Sequence, residues 1–242
     1  MATPDEEILQ RLTRVRADVD AAATAAGRDP GDVRMLLATK TQPPDRIITA
    51  IRAGATLIGE NRAQEVVAKA DELEEIPHEL HFIGHLQTNK INQLLGRISC
   101  LQTLDSVDLA QKLQSRLQAR DAQLDVLIQV NVSGEESKSG IAPDDASDLV
   151  VELARFPALT VRGFMTVGLN STQREEVRSG YRRLAQLRDA VRQQGLAGGE
   201  HAVELSMGMS GDFADAIAEG ATIVRLGSAV FGPRATPPPN PA

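Results

Sequence analysis

The feature that most constrains this chain is an alternation repeated eight times. Short apolar runs, each too brief for a helix, take turns with longer segments whose apolar residues recur every three or four positions. The runs are "RMLLATK" (34–40), "TLIGE" (56–60), "LHFIG" (80–84), "CLQTLD" (100–105), "DVLIQVN" (125–131), "TVRGFMTV" (160–167), "AVELSMG" (202–208) and "TIVRLG" (222–227). Between them lie helical stripes such as Ile47, Ile48 and Ile51, or Leu109, Leu113 and Leu117, or Val177, Leu184 and Val191. Strand and helix in alternation imply parallel strands joined by right-handed crossovers, and eight strands close a barrel. An open doubly wound sheet more often shows fewer strands at this length. The third connection, "TNKINQLLGR", is the shortest and weakest helix. Ahead of the first run, "TPDE" (3–6) has capping-box spacing with Pro4 at the first helical position, and Ile8, Leu12, Val15 and Val19 follow at helical spacing. The expected fold is therefore α/β, a single (β/α)8 TIM-type barrel with an extra N-terminal helix.

Length agrees, since 242 residues suit one such barrel, assigned here to 1–234. The tail "ATPPPNPA" (235–242) is expected to be disordered. A net charge of -7 and an aromatic content of 2% offer neither the basic face nor the stacking platforms that nucleic acids need. The lone Cys100 excludes an internal disulfide, no apolar run approaches the length of a membrane span, and acidic residues stand where a signal peptide has basic ones. A reducing, cytoplasmic compartment and no membrane partner follow as expectations.

In a parallel barrel, functional groups gather at the C-terminal ends of the strands, and the unusual residues of this sequence fall there. Lys40 ends the first run where it breaks into a proline-stopped turn. "SMGMSGDFADAIAEG" (206–220) is a small-residue turn with Ser210 as a candidate N-cap, and "RLGSAVFG" puts Gly227 and Ser228 after the eighth strand. Phosphate sites in barrels frequently use the loops after strands seven and eight, which favours a phosphate over a merely capped helix. Arg225 lies inside the eighth run, on the same strand face as Ile223 and Gly227. A buried guanidinium requires a partner: an internal salt bridge, for instance with Glu204, or a ligand at the barrel mouth. The four histidines, 78, 81, 85 and 201, show no metal spacing.

A lysine amine, a phosphate cradle and an arginine between them describe the needs of pyridoxal phosphate (PLP), although these residues alone do not identify the cofactor. The wider motifs do more. "ATKTQP", "IGENRAQE", "HFIGHLQTNK", "QVNVSGEESKSG", "LSMGMSGD" and "VRLGSAVFG", in this order over residues 34–234, resemble the signature segments of the PLP homeostasis family, the YggS/PROSC-like proteins. The resemblance implies a barrel like the N-terminal domain of alanine racemase and PLP held on Lys40 as a Schiff base. It implies phosphate contacts from Ser210, Gly227 and Ser228, with Arg225 towards the ring nitrogen. Asn61, Ser206, Gly208 and Met209 match family positions lining the pocket, and Lys138 a loop lysine near its entrance. "FMTVGLNS" (164–171) lacks a proline that some relatives carry.

The alternative on this barrel is a PLP-dependent amino-acid racemase. Such an enzyme needs an acid/base on each face of its substrate, the second being a tyrosine from a β-rich domain. The only tyrosine here, Tyr181, falls on a helix of the outer ring, where packing is its expected role. An aldolase-type reading would want a carboxylate or tyrosine near the lysine, and the sequence places none. The expectation is a non-catalytic, monomeric PLP-binding protein of cofactor homeostasis, whose partners are the cofactor and the apo-enzymes that require it. Lys90 and Lys138 are candidates for a second, transient amine.

Overall fold

The computed structural model describes residues 3–135, 138–169 and 171–233. The expected disordered tail (235–242) lies outside the described residues.

The chain begins with α1 (Pro4–Ala25), then alternates: β1 (Arg34–Ala38), α2 (Pro44–Arg52), β2 (Leu57–Glu60), α3 (Ala63–Leu73), β3 (Glu79–Phe82), α4 (Ile91–Leu94), β4 (Cys100–Leu104) and α5 (Val107–Gln118). The second half runs β5 (Leu124–Gln129), α6 (Ala146–Leu153), β6 (Leu159–Met165), α7 (Arg174–Gln193), β7 (Glu204–Met209), α8 (Phe213–Ala218), β8 (Ile223–Leu226) and α9 (Ser228–Phe231). The eight strands form a closed barrel in sequence order, and β8 pairs in parallel with β1 from Arg34 opposite Ile223 to Leu37 opposite Leu226. The expected (β/α)8 barrel with an extra N-terminal helix is thus the fold observed.

The extra helix has a structural reason. The capping box forms, with Thr3 Oγ1 accepting the Glu6 N–H at 3.2 Å and the Glu6 carboxylate accepting the Thr3 N–H at 2.7 Å. α1 buries Ile8, Leu12, Val15, Val19 and Ala23 against α2, α8 and α9. Since α9 is a single turn, α1 covers the seam where β8 meets β1, the place an eighth full helix would occupy. At the third crossover α4 is likewise a single turn. No helix among the described residues is long and apolar enough to cross a membrane.

Side chains alternate across the barrel wall. Leu37, Ile58, Phe82, Ile128, Phe164 and Val224 face the helices in the main core. Leu36, Leu57 and Ile223 meet inside the barrel, as do Cys100, Leu127 and Met165. The rest of the interior is polar: the Gln102 amide contacts His81 Nδ1 at 2.8 Å and accepts from the Ser206 hydroxyl at 2.7 Å, while Gln129 Oε1 is buried with no partner among the described residues. Burial, with some help from nearby Arg34, pushes His81 down to about 4, so the ring is neutral at ordinary pH.

β6 carries a bulge against β5, where the register slips between Val126 and Leu127. Gly163 sits at that slip with φ +148, and a Cβ there would meet the Glu204 carbonyl oxygen at 2.0 Å. Gly163→Ala is therefore expected to destabilise the fold by roughly 2–4 kcal/mol, read by urea denaturation. His81 generates a second expectation. Its folded-state value, about 4, lies below its ordinary 6.5, so its contribution is full above pH 6.5 and lost as pH falls towards 4. Relative to His81→Leu, the wild type should lose up to about 3 kcal/mol over that window, and equal slopes for the two proteins would refute the assignment.

Candidate functional site

The C-terminal ends of β1, β2, β7 and β8 surround a cavity of about 490 Å³. That is within the range of roughly 300–1,000 Å³ usual for small-molecule and cofactor sites. Lys40, Asn61, Met209, Ser210, Arg225, Gly227 and Ser228 all line it. A hollow of about 460 Å³ lies on the outside, where the one-turn α4 leaves the flank of α3 open, but Lys40 and Arg225 are not in its wall.

Lys40 enters the cavity wall from a tight turn that ends β1. The Gln42 N–H donates to the Thr39 carbonyl at 3.0 Å, and Thr41 adopts φ +63. Behind this turn stands a buried cluster. Glu60 Oε1 accepts from Thr39 Oγ1 and from Lys69 Nζ, both at 2.6 Å, while Lys69 also donates to the Thr39 carbonyl and to Glu65 at 3.0 Å. Glu65 accepts the Thr41 N–H at 2.6 Å. Burial raises the Glu60 carboxyl against the pull of Lys69 and Thr39. Burial works on Glu65 too, but the Thr41 N–H and the Lys69 ammonium outweigh it and hold that carboxyl below its ordinary range.

Asn61 follows β2, and its Oδ1 is buried with no hydrogen-bond partner among the described residues. Gly84, after β3, allows this approach, because a Cβ there would fall 2.1 Å from the Asn61 carbonyl oxygen.

The turn after β7 differs from the sequence expectation. α8 has six residues and its N-cap is Asp212, not Ser210. The Asp212 carboxylate makes no bond to its own helix, because it accepts the Met209 N–H at 2.6 Å and the Tyr181 hydroxyl at 2.8 Å. Ser210 lies in the turn itself, where its Oγ accepts the Ala229 N–H at 3.3 Å and ties the β7 and β8 loops together. Tyr181 is not merely outer-ring packing either. It is fully buried and braces this turn, and burial together with Asp212 pushes its hydroxyl far up from the usual range.

Arg225 is 6% exposed. It donates through one terminal nitrogen to the Ser206 carbonyl at 2.7 Å and hydroxyl at 2.8 Å, and through the other to the Thr166 carbonyl at 2.7 Å. The salt bridge to Glu204 offered by the sequence does not form. Register explains this: Ser206 is opposite Ile223 and Met209 opposite Arg225, so Glu204 sits lower in the barrel, 3.9 Å from Arg34. Burial lowers Arg225 to about 10, with Tyr181 and Asp212 acting the other way, and the guanidinium stays charged near neutrality.

Two expected pocket residues are not in the cavity wall. Ser206 is fully buried beneath Arg225, and Gly208 faces α8, where a Cβ would meet the Ala216 Cβ at 2.5 Å. Lys90 and Lys138 are also outside the wall, Lys138 Nζ bonding Glu135 at 2.7 Å and the Gly168 carbonyl at 3.0 Å. Sequence reading missed the supports: Glu60, Glu65, Lys69, Gln102 and Asp212. The i,i+4 spacing of Glu65 and Lys69 was the one visible signal.

Residues 12–235 match the family model described as alanine racemase, N-terminal domain. The chain is 40% identical over 225 residues to the pyridoxal phosphate homeostasis protein of Aquifex aeolicus, covering 93% of this chain and 97% of that one. It is 39% identical to the protein so named in Pseudomonas aeruginosa, covering 94% and 96%. A solved structure from Bifidobacterium adolescentis superposes with TM-score 0.91 at 40% identity, over 94% of this chain and 96% of that one. PipY of Synechococcus elongatus, solved with PLP bound, superposes with TM-score 0.81 at 28% identity, over 93% of this chain and 100% of that one. Motif order, barrel topology and this similarity along nearly the whole length agree: the chain belongs to the pyridoxal phosphate homeostasis family, within the wider family of the alanine racemase N-terminal domain.

Proposed function

We propose that this protein holds PLP in the cavity at the C-terminal end of the barrel and serves cofactor homeostasis rather than catalysis. The observation that carries the reading is the convergence of Lys40, Arg225 and the joined Ser210 and Ser228 turns on one cavity. Relatives named for PLP homeostasis and the PLP-bound PipY structure support it.

The residues present fit the cofactor. Asn61 Oδ1, buried and unpartnered, leaves an acceptor that a polar ligand can satisfy. Ser210, Gly227 and Ser228 form the phosphate end, where two hydroxyls and loop backbone suit an anion. Lys40 is the amine for the aldehyde. Bound there, PLP supplies an electrophilic carbon that an amine attacks with loss of water. Arg225 is fixed by two backbone carbonyls and Ser206, so its charge stays in place and presents donors to a ring nitrogen, which then acts as acceptor. Ser206 and Gly208 act from beneath the wall, by holding Arg225 and the β7 turn. Met209 closes one side.

Against racemisation stands the second face. Among the described residues the cavity wall contains no tyrosine, and Tyr181 is spent on Asp212. In the same reading the protein is a cytoplasmic monomer whose single barrel domain spans 1–234, and it passes PLP to apo-enzymes.

Incubation with PLP followed by borohydride should fix the pyridoxyl group on Lys40, with a visible band before reduction and a mass increase on the Lys40 peptide afterwards. Lys40→Ala should show neither, and adding L- or D-alanine to the wild type should produce no loss of optical rotation. A band that persists in Lys40→Ala sinks the proposal. Ser210→Ala and Ser228→Ala should each weaken PLP binding by about tenfold or more, the usual cost of one hydrogen bond to a charged group.

A further inference from the structure

Lys40 sits in the second position of the turn that spans residues 39–42, and Thr41 in the third position has φ +63. That backbone region suits glycine, and a β-branched residue there is strained. Such a conformation persists only where its surroundings over-determine it.

The surroundings are specific. The two residues flanking Lys40 are gripped from the far side of the barrel wall. The Thr41 N–H is bound by Glu65, the Thr39 carbonyl by Lys69 and the Thr39 hydroxyl by Glu60. The three holding side chains are joined to one another through Lys69, at 2.6 Å to Glu60 and 3.0 Å to Glu65. Side-chain exposures of 2% for Glu60 and 10% for Lys69 shield the inner bonds from water, while Glu65, at 18%, takes the Thr41 N–H at the exposed edge of the cluster. None of the three lines the Lys40 cavity.

We propose that Glu60, Lys69 and Glu65 are positioning residues for the cofactor amine: a clamp on α3 and β2 that holds the strained turn and so aims Lys40 into the cavity. This rests on the PLP reading above. Glu65 is the decisive member, since its carboxylate takes the N–H of the strained residue itself. A helix-to-strand ion cluster serving stability alone would have no need to bind the backbone on both sides of one lysine.

The test compares Glu65→Ala, Thr41→Gly and the double variant with the wild type, each shown to be folded by circular dichroism. Three readouts are taken: hydrogen exchange of the Thr41 amide, the rate of borohydride-trapped PLP attachment to Lys40, and affinity for pyridoxine 5'-phosphate, which lacks the aldehyde. Glu65→Ala, which leaves no acceptor for the Thr41 N–H, should speed Thr41 exchange and slow PLP attachment by about tenfold or more, yet leave pyridoxine phosphate affinity within about twofold. The added Thr41→Gly should restore much of the attachment rate, because glycine adopts the turn without strain.

Unchanged Thr41 exchange overturns the clamp, whatever the ligands do. Faster exchange with an unchanged attachment rate overturns the positioning role, as does an equal loss of both ligands, which would mark a merely structural cluster. If the wild type attaches no PLP at Lys40, the PLP reading has failed and the positioning role falls with it. The exchange readout then still reports whether the clamp exists.

Discussion

The pairing of β8 with β1 is the constraint on which the rest of this molecule depends. It closes the barrel, and by setting Leu36 opposite Arg225 it brings the end of the first strand beside the end of the last. Lys40 and the Gly227–Ser228 turn, almost the whole chain apart in sequence, thereby become neighbours on one cavity. The seam also explains α1. With only one turn of helix after β8, the outside of the closure would be bare, and the apolar face of the N-terminal helix covers it.

The barrel interior divides the work. One part is apolar and packs. The other is a chain of hydrogen bonds from His81 through Gln102 and Ser206 to Arg225. An unpaired guanidinium in that interior would be prohibitive, and the structure satisfies it without a carboxylate, by carbonyl dipoles and a hydroxyl. Charge compensation by a directly bonded carboxylate would draw the fork away from the cavity. Dipoles leave the positive charge intact at the cavity floor, which suits an acceptor on a ligand. The end of the cavity proposed for the phosphate is built in a comparable way, from loops braced by groups outside the cavity: Tyr181 and Asp212 hold the β7 turn, and Ser210 links it to the β8 turn.

Much of the candidate site is legible in the sequence because it obeys local rules. Lys40, Ser210, Gly227 and Ser228 stand at strand ends, and strand ends follow from periodicity. Arg225 stood out because a charge inside an apolar run is costly. The misreadings had a common cause. A serine before an amphipathic stripe is the usual signal of a helix cap, which points to Ser210. Asp212 takes that position, with its carboxylate committed elsewhere to a tyrosine thirty-one residues earlier. Adjacent strands suggest Glu204 as the partner of Arg225, but the β7–β8 pairing sets Ser206 opposite Ile223 and leaves Glu204 lower in the barrel. The motif resemblance brings Ser206 and Gly208 to the pocket, and strand direction sets Ser206 beneath its wall and turns Gly208 towards α8.

The sequence by itself determined the eight-fold alternation, hence the parallel barrel, the face that carries function, and the residue types presented there, because side-chain period and turn chemistry are properties of neighbouring residues. Only the tertiary structure decided which polar groups support which. The grip of Glu60, Lys69 and Glu65 on the lysine turn, the relay to Arg225 and the brace from Tyr181 each join separate elements. Their existence depends on register and closure, where a shift of one or two residues exchanges one partner for another, and no local pattern encodes that choice.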